Sequence, residues 1–195
     1  MMDERQKLNS AMPASRTPYL AKFLNPENII EKLEILPGMK VAHFGCGTGY
    51  FTFPFGRKVG AEGTVYALDV LAEKVEALRS QAKMLGMENI VAKRANLEKK
   101  EGSGLEDGSV DWVVIVNMLY QNDKKNRVII EAGRILKKGG HILLIDWKNT
   151  NGSIGPQMET RVSPQEIIKI ARKNELGISK EIEVSNFHFG MILTK

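Results

Sequence analysis

A chain of 195 residues, 43% hydrophobic and 26% charged, has the size and composition of one globular domain, which excludes a disordered tract, a collagen-like repeat and a coiled-coil rod. Its 28 Lys and Arg against 23 Asp and Glu leave a net charge of +5, but basic pairs such as Lys99-Lys100 stand beside acids and read as solvated surface. No apolar run approaches the roughly 18 residues of a membrane helix, Met1–Arg5 carries both charge signs and no signal segment, and the lone Cys46 excludes an internal disulfide and a cysteine zinc site, so the expectation is a cytoplasmic protein with no membrane span and no metal.

The first predicted helix opens at Asn25-Pro26-Glu27, where Asn25 suits the N-cap, Pro26 the first helical position and Glu27 the positive end of the helix dipole. It is predicted to run to about Leu36, ahead of Pro37-Gly38. Lys40–Phe44 reads as a buried strand, Gly45–Gly49 (GCGTG) as a glycine-rich loop, and a helix follows toward Val59. After a turn at Gly60–Gly63, Thr64–Leu68 is the second strand, ending at Asp69. Leu71, Val75, Leu78, Ala82 and Leu85 recur at helical spacing up to Gly86. Ile90–Lys93 is a third strand, Ala95–Gly108 a polar loop, and Val110–Val116 a central strand broken only by Asp111. Val128, Ile129, Ala132, Ile135 and Leu136 share a helix face that stops at Gly139-Gly140, before a fifth strand at His141–Trp147. Asn149–Arg161 is a loop with the turn formers Asn151-Gly152-Ser153. Ser163-Pro164-Gln165-Glu166 is a capping box for a helix that Gly177 closes, and Glu181–Val184 and Phe187–Thr194 form a final strand pair. Strands alternating with helices imply an α/β fold around a mostly parallel sheet.

A strand that leads into Gly45-x-Gly47-x-Gly49 and then a helix is nucleotide-binding architecture, because small residues let the backbone approach a ligand beside a helix N-terminus. The dinucleotide fingerprint calls for Gly or Ala where this chain has Tyr50, and no Walker Lys follows, so neither phosphate-binding class is complete. Twenty residues beyond Gly49, Asp69 ends the second strand, where its carboxylate can accept hydrogen bonds from both hydroxyls of a ribose or cap the following helix.

The segments VAHFGCGTGYFT (41–52), GTVYALD (63–69), VDWVVIVNMLY (110–120) and RILKKGGHILLIDW (134–147) resemble successive motifs of class I S-adenosylmethionine-dependent methyltransferases, and EVSNFHFGMILTK (183–195) resembles their final reversed hairpin. The loop after the fifth strand and the RVSPQE entry to the last helix are similar to the ubiquinone/menaquinone-biosynthesis-type branch. The resemblance implies a Rossmann-like, seven-stranded, mostly parallel sheet with a reversed C-terminal strand and helices on both faces. It makes residues 25–195 one domain, with residues 1–24 as an N-terminal arm or lid that includes Tyr19.

Carried over by position, the resemblance puts Gly45, Cys46 and Gly47 under the methionine and ribose parts of S-adenosylmethionine and counts Phe44 and Gly49 among the cofactor-binding residues. Asp69 would hold the ribose, Val70 pack on the adenine, Asn96 and Leu97 stand where the family has an adenine-contacting acid, and Asn117 offer its backbone carbonyl to the ammonium. His43 replaces the family's usual acid near that ammonium. If it contacts the group, its protonation opposes binding, so affinity would weaken as pH falls through the imidazole pKa, from about 6.5 or lower if buried. Otherwise it packs at a strand end.

On the acceptor side, Tyr120 and Asp146, with Trp147, are the candidate catalytic residues at strand ends. Arg161 reads as an ion-pair or substrate residue, and His188 as a packed or surface residue. The leading expectation is methyl transfer to a small-molecule acceptor by in-line displacement, giving S-adenosylhomocysteine. The lone Cys46 excludes an arsenite-type thiol mechanism. The alternatives are an RNA or protein methyltransferase, suggested by the basic charge, or a catalytically silent cofactor- or partner-binding module, suggested by His43.

Overall fold

The apolar runs 112–116 and 142–145 lie next to each other at the centre of a seven-stranded sheet in the computed structural model, which describes residues 24–150 and 154–195. The strands are β1 (Lys40–Phe44), β2 (Thr64–Asp69), β3 (Ile90–Arg94), β4 (Val110–Val116), β5 (Leu136–Trp147), β6 (Gly177–Ile182) and β7 (His188–Thr194), in the order β3-β2-β1-β4-β5-β7-β6. Pairings among β1 to β5 are parallel, while β7 runs antiparallel to both β5 and β6. The expected mostly parallel sheet with one reversed C-terminal strand is therefore what forms. Tyr19 and the turn residues Asn151-Gly152-Ser153 lie outside the described residues. No described helix is long and apolar enough to cross a membrane.

The helices are α1 (Pro26–Ile30), α2 (Thr52–Val59), α3 (Ala72–Met84), α4 (Lys125–Ile135) and α5 (Pro164–Lys173). On one sheet face Val113, Ile115, Ile142 and Leu144 pack with Val128 and Ile129 of α4 and Ile167 of α5. The alternate positions Trp112, Val114, Leu143 and Ile145 pack on the other face with Ile29 and Ile30 of α1 and Phe55 of α2. Covering both faces is why these strands read as unbroken apolar runs. At roughly 1.5–3 kcal/mol for each fully buried aliphatic side chain, this core far outweighs exposed ion pairs such as Arg57–Glu27, worth about 0–1 kcal/mol. Asp111, the one charge in β4, accepts from the Lys40 backbone N–H at 2.8 Å and pairs with Lys137 at 2.6 Å. It tacks down the start of β1.

Four boundaries differ from the sequence expectation, one of them β6, which occupies Gly177–Ile182 rather than Glu181–Val184. Helix α1 ends at Ile30 rather than near Leu36, and two i→i+3 bonds (Lys32 to Ile29, Leu33 to Ile30) tighten the chain beyond it. That turn buries Leu33 and Ile35 and leaves Leu36 60% exposed, so packing overrides helical spacing. Gly177 does not close α5. Glu175 does so in the left-handed region (φ 58°), and the Leu176 N–H then reaches the Ala171 carbonyl at 3.0 Å, which frees Gly177 to begin β6. Strand β5 begins at Leu136, straight from α4, rather than at His141.

The polar segment 95–108 is pinned by Glu131, which accepts from the Ser103 N–H (2.9 Å) and from Arg134 Nε (2.9 Å) while fully enclosed. Ser163 caps α5 by accepting from the Glu166 N–H at 3.1 Å. Ser163→Ala is expected to cost about 1 kcal/mol, a fall of about 2–4 °C in Tm by calorimetry, because it strands an N–H at the helix start. An unchanged Tm would show that water satisfies that group equally well.

Candidate active site

The C-terminal ends of β1, β2 and β4 and the loops after them enclose two adjoining cavities. The larger, about 610 Å³, is lined by Gly47, Asp69, Val70, Asn96, Leu97 and Asn122 among others. The smaller, about 290 Å³, is lined by His43, Cys46, Tyr50, Phe51, Trp147 and His188 among others. Gly45 and Asn117 line both. In parallel sheets this edge is where ligands bind, because the loops diverge there from a rigid base.

The larger cavity is the more polar of the two. Asp69 is oriented by the glycine loop itself: its carboxylate accepts from the Gly47 N–H at 2.9 Å and from the Leu71 N–H at 3.0 Å. Each oxygen keeps a further lone pair for a ligand hydroxyl. A Cβ on Gly47 would meet nothing within 4 Å, so this stretch of backbone is open to an incoming group. Gly49 has the opposite reason to be glycine. At φ 97°, a Cβ there would lie 2.4 Å from the Phe53 ring, which fixes how α2 leaves the loop. Asn96 accepts from the Glu98 N–H at 3.1 Å in a local turn, and Val70 is half exposed.

Asn117 stands at the wall between the cavities in the left-handed region, φ 50°, a conformation that costs a non-glycine residue energy. Its N–H is donated to the Ile145 carbonyl (2.9 Å) and its own carbonyl accepts from Gln121 Nε2 (3.0 Å). Its Oδ1 is buried without a partner among the described residues, and so is Oδ1 of Asn122, whose Nδ2 is donated to Glu98. Two orphaned acceptors beside one cavity call for donors from a ligand.

The smaller cavity is aromatic, and among the described residues no carboxylate or amine side chain lines it. His43 is 3% exposed, its Nδ1 is 2.8 Å from Thr52 Oγ1, and Phe51 meets it edge-on at 6.3 Å. Burial pushes its pKa down to about 4, although the Asp69 charge works weakly in the other direction. Cys46 is pushed up to about 12, by burial first and by Asp69 second, so it is a neutral thiol. Tyr50 donates to the Leu24 carbonyl at 2.8 Å and stands edge-on to Phe51, closing one side. On the opposite side Trp147 packs against His188 with ring centres 4.1 Å apart. His188 is 2% exposed and is likewise pushed down to about 4, by burial and by the charges of Lys148 and Arg161.

Of the residues singled out from sequence, Gly45, Gly47, Asp69, Val70, Asn96, Leu97 and Asn117 line the larger cavity, and His43, Cys46 and Trp147 the smaller. Phe44 lies behind the wall in the core, and Gly49 beneath Phe53. Neither Tyr120 nor Asp146 lines either of these two cavities. Asp146 is fully buried and accepts from the Leu119 N–H (3.0 Å) and the Trp147 N–H (2.8 Å). Burial raises its pKa to about 6, and those N–H groups restrain the rise. It shapes the turn at 117–121 from behind. Arg161 forms no ion pair among the described residues; it donates to the carbonyls of Lys148, Ile154 and Pro156 and holds the loop after β5 against Trp147, 5.9 Å from its ring. His188, expected as packed or surface, is packed against Trp147 and also lines the smaller cavity. Sequence reasoning passed over Tyr50 and Phe51 as wall residues, although the bulk of Tyr50 at a position that favours glycine was a signal.

Residues 35–187 match the family model described as a methyltransferase domain. The chain is similar to an arsenite methyltransferase of Aquipseudomonas alcaligenes, 28% identical over 70% of this chain and 42% of that protein. It is also similar to a ubiquinone/menaquinone biosynthesis C-methyltransferase of Hahella chejuensis, 32% identical over 63% of this chain and 49% of that protein. The chain thus spans less than half the length of these two relatives. Among solved structures, a SAM-dependent methyltransferase from Aquifex aeolicus superposes with a TM-score of 0.82 at 25% identity, covering 90% of this chain and 92% of that one.

Proposed function

The chain belongs to the methyltransferase-domain family, and from that premise we propose that it is an S-adenosylmethionine-dependent methyltransferase acting on a small, planar acceptor, with residues 25–195 as its one domain. The observation that carries this reading is the wall shared by a polar and an aromatic cavity at Gly45 and Asn117. A donor on one side and an acceptor on the other meet there, and such alignment supplies on the order of 7–11 kcal/mol of a transfer barrier.

The polar cavity suits the cofactor. Asp69 offers acceptors to two ribose hydroxyls, Val70 an apolar face to the adenine, and the orphaned Oδ1 atoms of Asn117 and Asn122 acceptors to its amino groups. Bound there, S-adenosylmethionine would supply a methyl group activated on a sulfonium. The chain's own residues then position and dehydrate. Phe51, Tyr50 and Trp147 exclude water, and their apolar surface favours a transition state in which positive charge is lost from sulfur. His43, neutral from burial, puts no positive charge beside the cofactor. An organic acceptor fits this chain better than the arsenite named for one relative. Cys46 is its only cysteine, and that thiol is buried and held protonated.

Calorimetric titration with S-adenosylmethionine and S-adenosylhomocysteine at pH 5.5 and 7.5, followed by labelled methyl transfer into a metabolite extract, tests this. Both ligands should bind, and affinity should be nearly equal at the two pH values because an imidazole of pKa about 4 stays neutral at both. Absence of binding overturns the reading. Binding without transfer points to a silent cofactor-binding module. Several-fold weaker binding at pH 5.5 would mean that His43 titrates near neutrality beside the ammonium.

A further inference from the structure

We propose that His188 donates a hydrogen bond from Nε2 to the methyl acceptor, and that the acceptor is a planar, neutral or anionic molecule presenting an electron-rich oxygen. The proposal rests on reading the smaller cavity as the acceptor site. His188 opens β7, and the antiparallel register sets it directly opposite Trp147 at the end of β5. Its Nε2 is buried without a hydrogen-bond partner among the described residues, while the ring lines the cavity.

Which proton that nitrogen carries follows from its neighbour Ser185. Ser185 Oγ accepts from the Phe187 N–H and the His188 N–H, both at 3.1 Å, which uses its two lone pairs. Its third contact, to His188 Nδ1 at 2.8 Å, must therefore be made by its own O–H. Nδ1 is then the acceptor, and a neutral imidazole has its single proton on Nε2. The unpartnered atom is a donor, fixed in place by the Trp147 ring on one side and Ser185 on the other.

The charges nearby select the ligand. Lys148, which donates to the Ser185 carbonyl at 3.1 Å, and Arg161, over Trp147, are the cations around this end of the cavity. Burial first and these two charges second keep the imidazole neutral, and the charges favour an oxygen with partial or full negative charge. Asp146, the nearest carboxylate on β5, is turned to the backbone N–H groups of Leu119 and Trp147. With no carboxylate in the wall among the described residues, an ammonium acceptor has no counter-charge there. The flat rings of Trp147, Phe51 and Tyr50 suit a planar body, and about 290 Å³ suits one ring rather than several.

Two measurements test this on the full chain. In ¹⁵N NMR of the wild-type imidazoles, His188 should show a protonated Nε2 and an unprotonated Nδ1; the opposite tautomer overturns the proposal. In the second, protein saturated with S-adenosylhomocysteine is titrated with 4-nitrophenolate and with 4-nitrotoluene, its isostere lacking the oxygen. His188→Phe, which keeps a ring on Trp147, should weaken 4-nitrophenolate about 10-fold, or about 1.4 kcal/mol, and leave 4-nitrotoluene unchanged. His188→Gln, which restores an N–H donor, should recover part of the loss. Equal weakening of both probes, or of neither, overturns the hydrogen bond while leaving the acceptor-site reading intact. If neither probe binds the wild type, the acceptor-site reading falls, and this proposal with it.

Discussion

Asp69→Ala is expected to weaken S-adenosylmethionine binding by about 2–4 kcal/mol, roughly 30- to 1000-fold, because it removes charge-assisted hydrogen bonds to the ribose hydroxyls. The structure adds a second reason for a large effect. Asp69 also accepts the N–H groups of Gly47 and Leu71, so its loss loosens the glycine loop over which the cofactor would lie. Asp69→Asn separates the two contributions: it keeps one acceptor oxygen and most of the shape but no charge, and should fall between wild type and Ala. Calorimetry gives the affinities, and thermal melting checks that each variant is folded. Affinity unchanged in a folded Asp69→Ala protein would place the cofactor elsewhere.

Acid is expected to destabilise the fold between about pH 6.5 and 4. His43 and His188 are each depressed from 6.5 to about 4 by burial, so in that interval the unfolded chain binds protons that the folded one refuses. Stability is therefore fully present above 6.5 and lost as pH falls, by roughly 3 kcal/mol for each histidine. Asp146 has the opposite sign. Raised from 3.8 to about 6, it takes up its proton more readily when folded and returns a comparable amount as pH drops through the same range. The net slope should be nearer one proton than two. Urea unfolding at pH 7, 5.5 and 4.5 measures it: His43→Gln should flatten the dependence and Asp146→Asn should steepen it. Wild-type stability that stays constant or rises as pH falls over this range would show that the two imidazoles are not both depressed.

The elements around the glycine loop were legible in the sequence because their signals are local. The run into Gly45, the spacing to Asp69 and the apolar strands at 110–116 and 141–147 are set by strand and helix periods over a few residues, and a β-α-β unit has nearly constant dimensions. The reversed hairpin was legible through resemblance. Where burial competed with local preference, the sequence misled: α1 stops early because Ile35 rather than Leu36 fills the core, and Gly177 enters a strand because Glu175 takes the turn.

The acceptor side was the least legible part. Asp146 and Trp147 are neighbours in β5 that point to opposite sheet faces, and only the packing shows that the first is held by backbone N–H groups while the second faces a cavity. His188 is far along the chain from Trp147 and meets it only through β5–β7 pairing. Residue type and spacing therefore determined the fold and the cofactor loop. The tertiary structure alone decided which imidazole stands in the cavity wall and in which protonation state, because desolvation and hydrogen-bond partners come from residues that only the folded chain brings together.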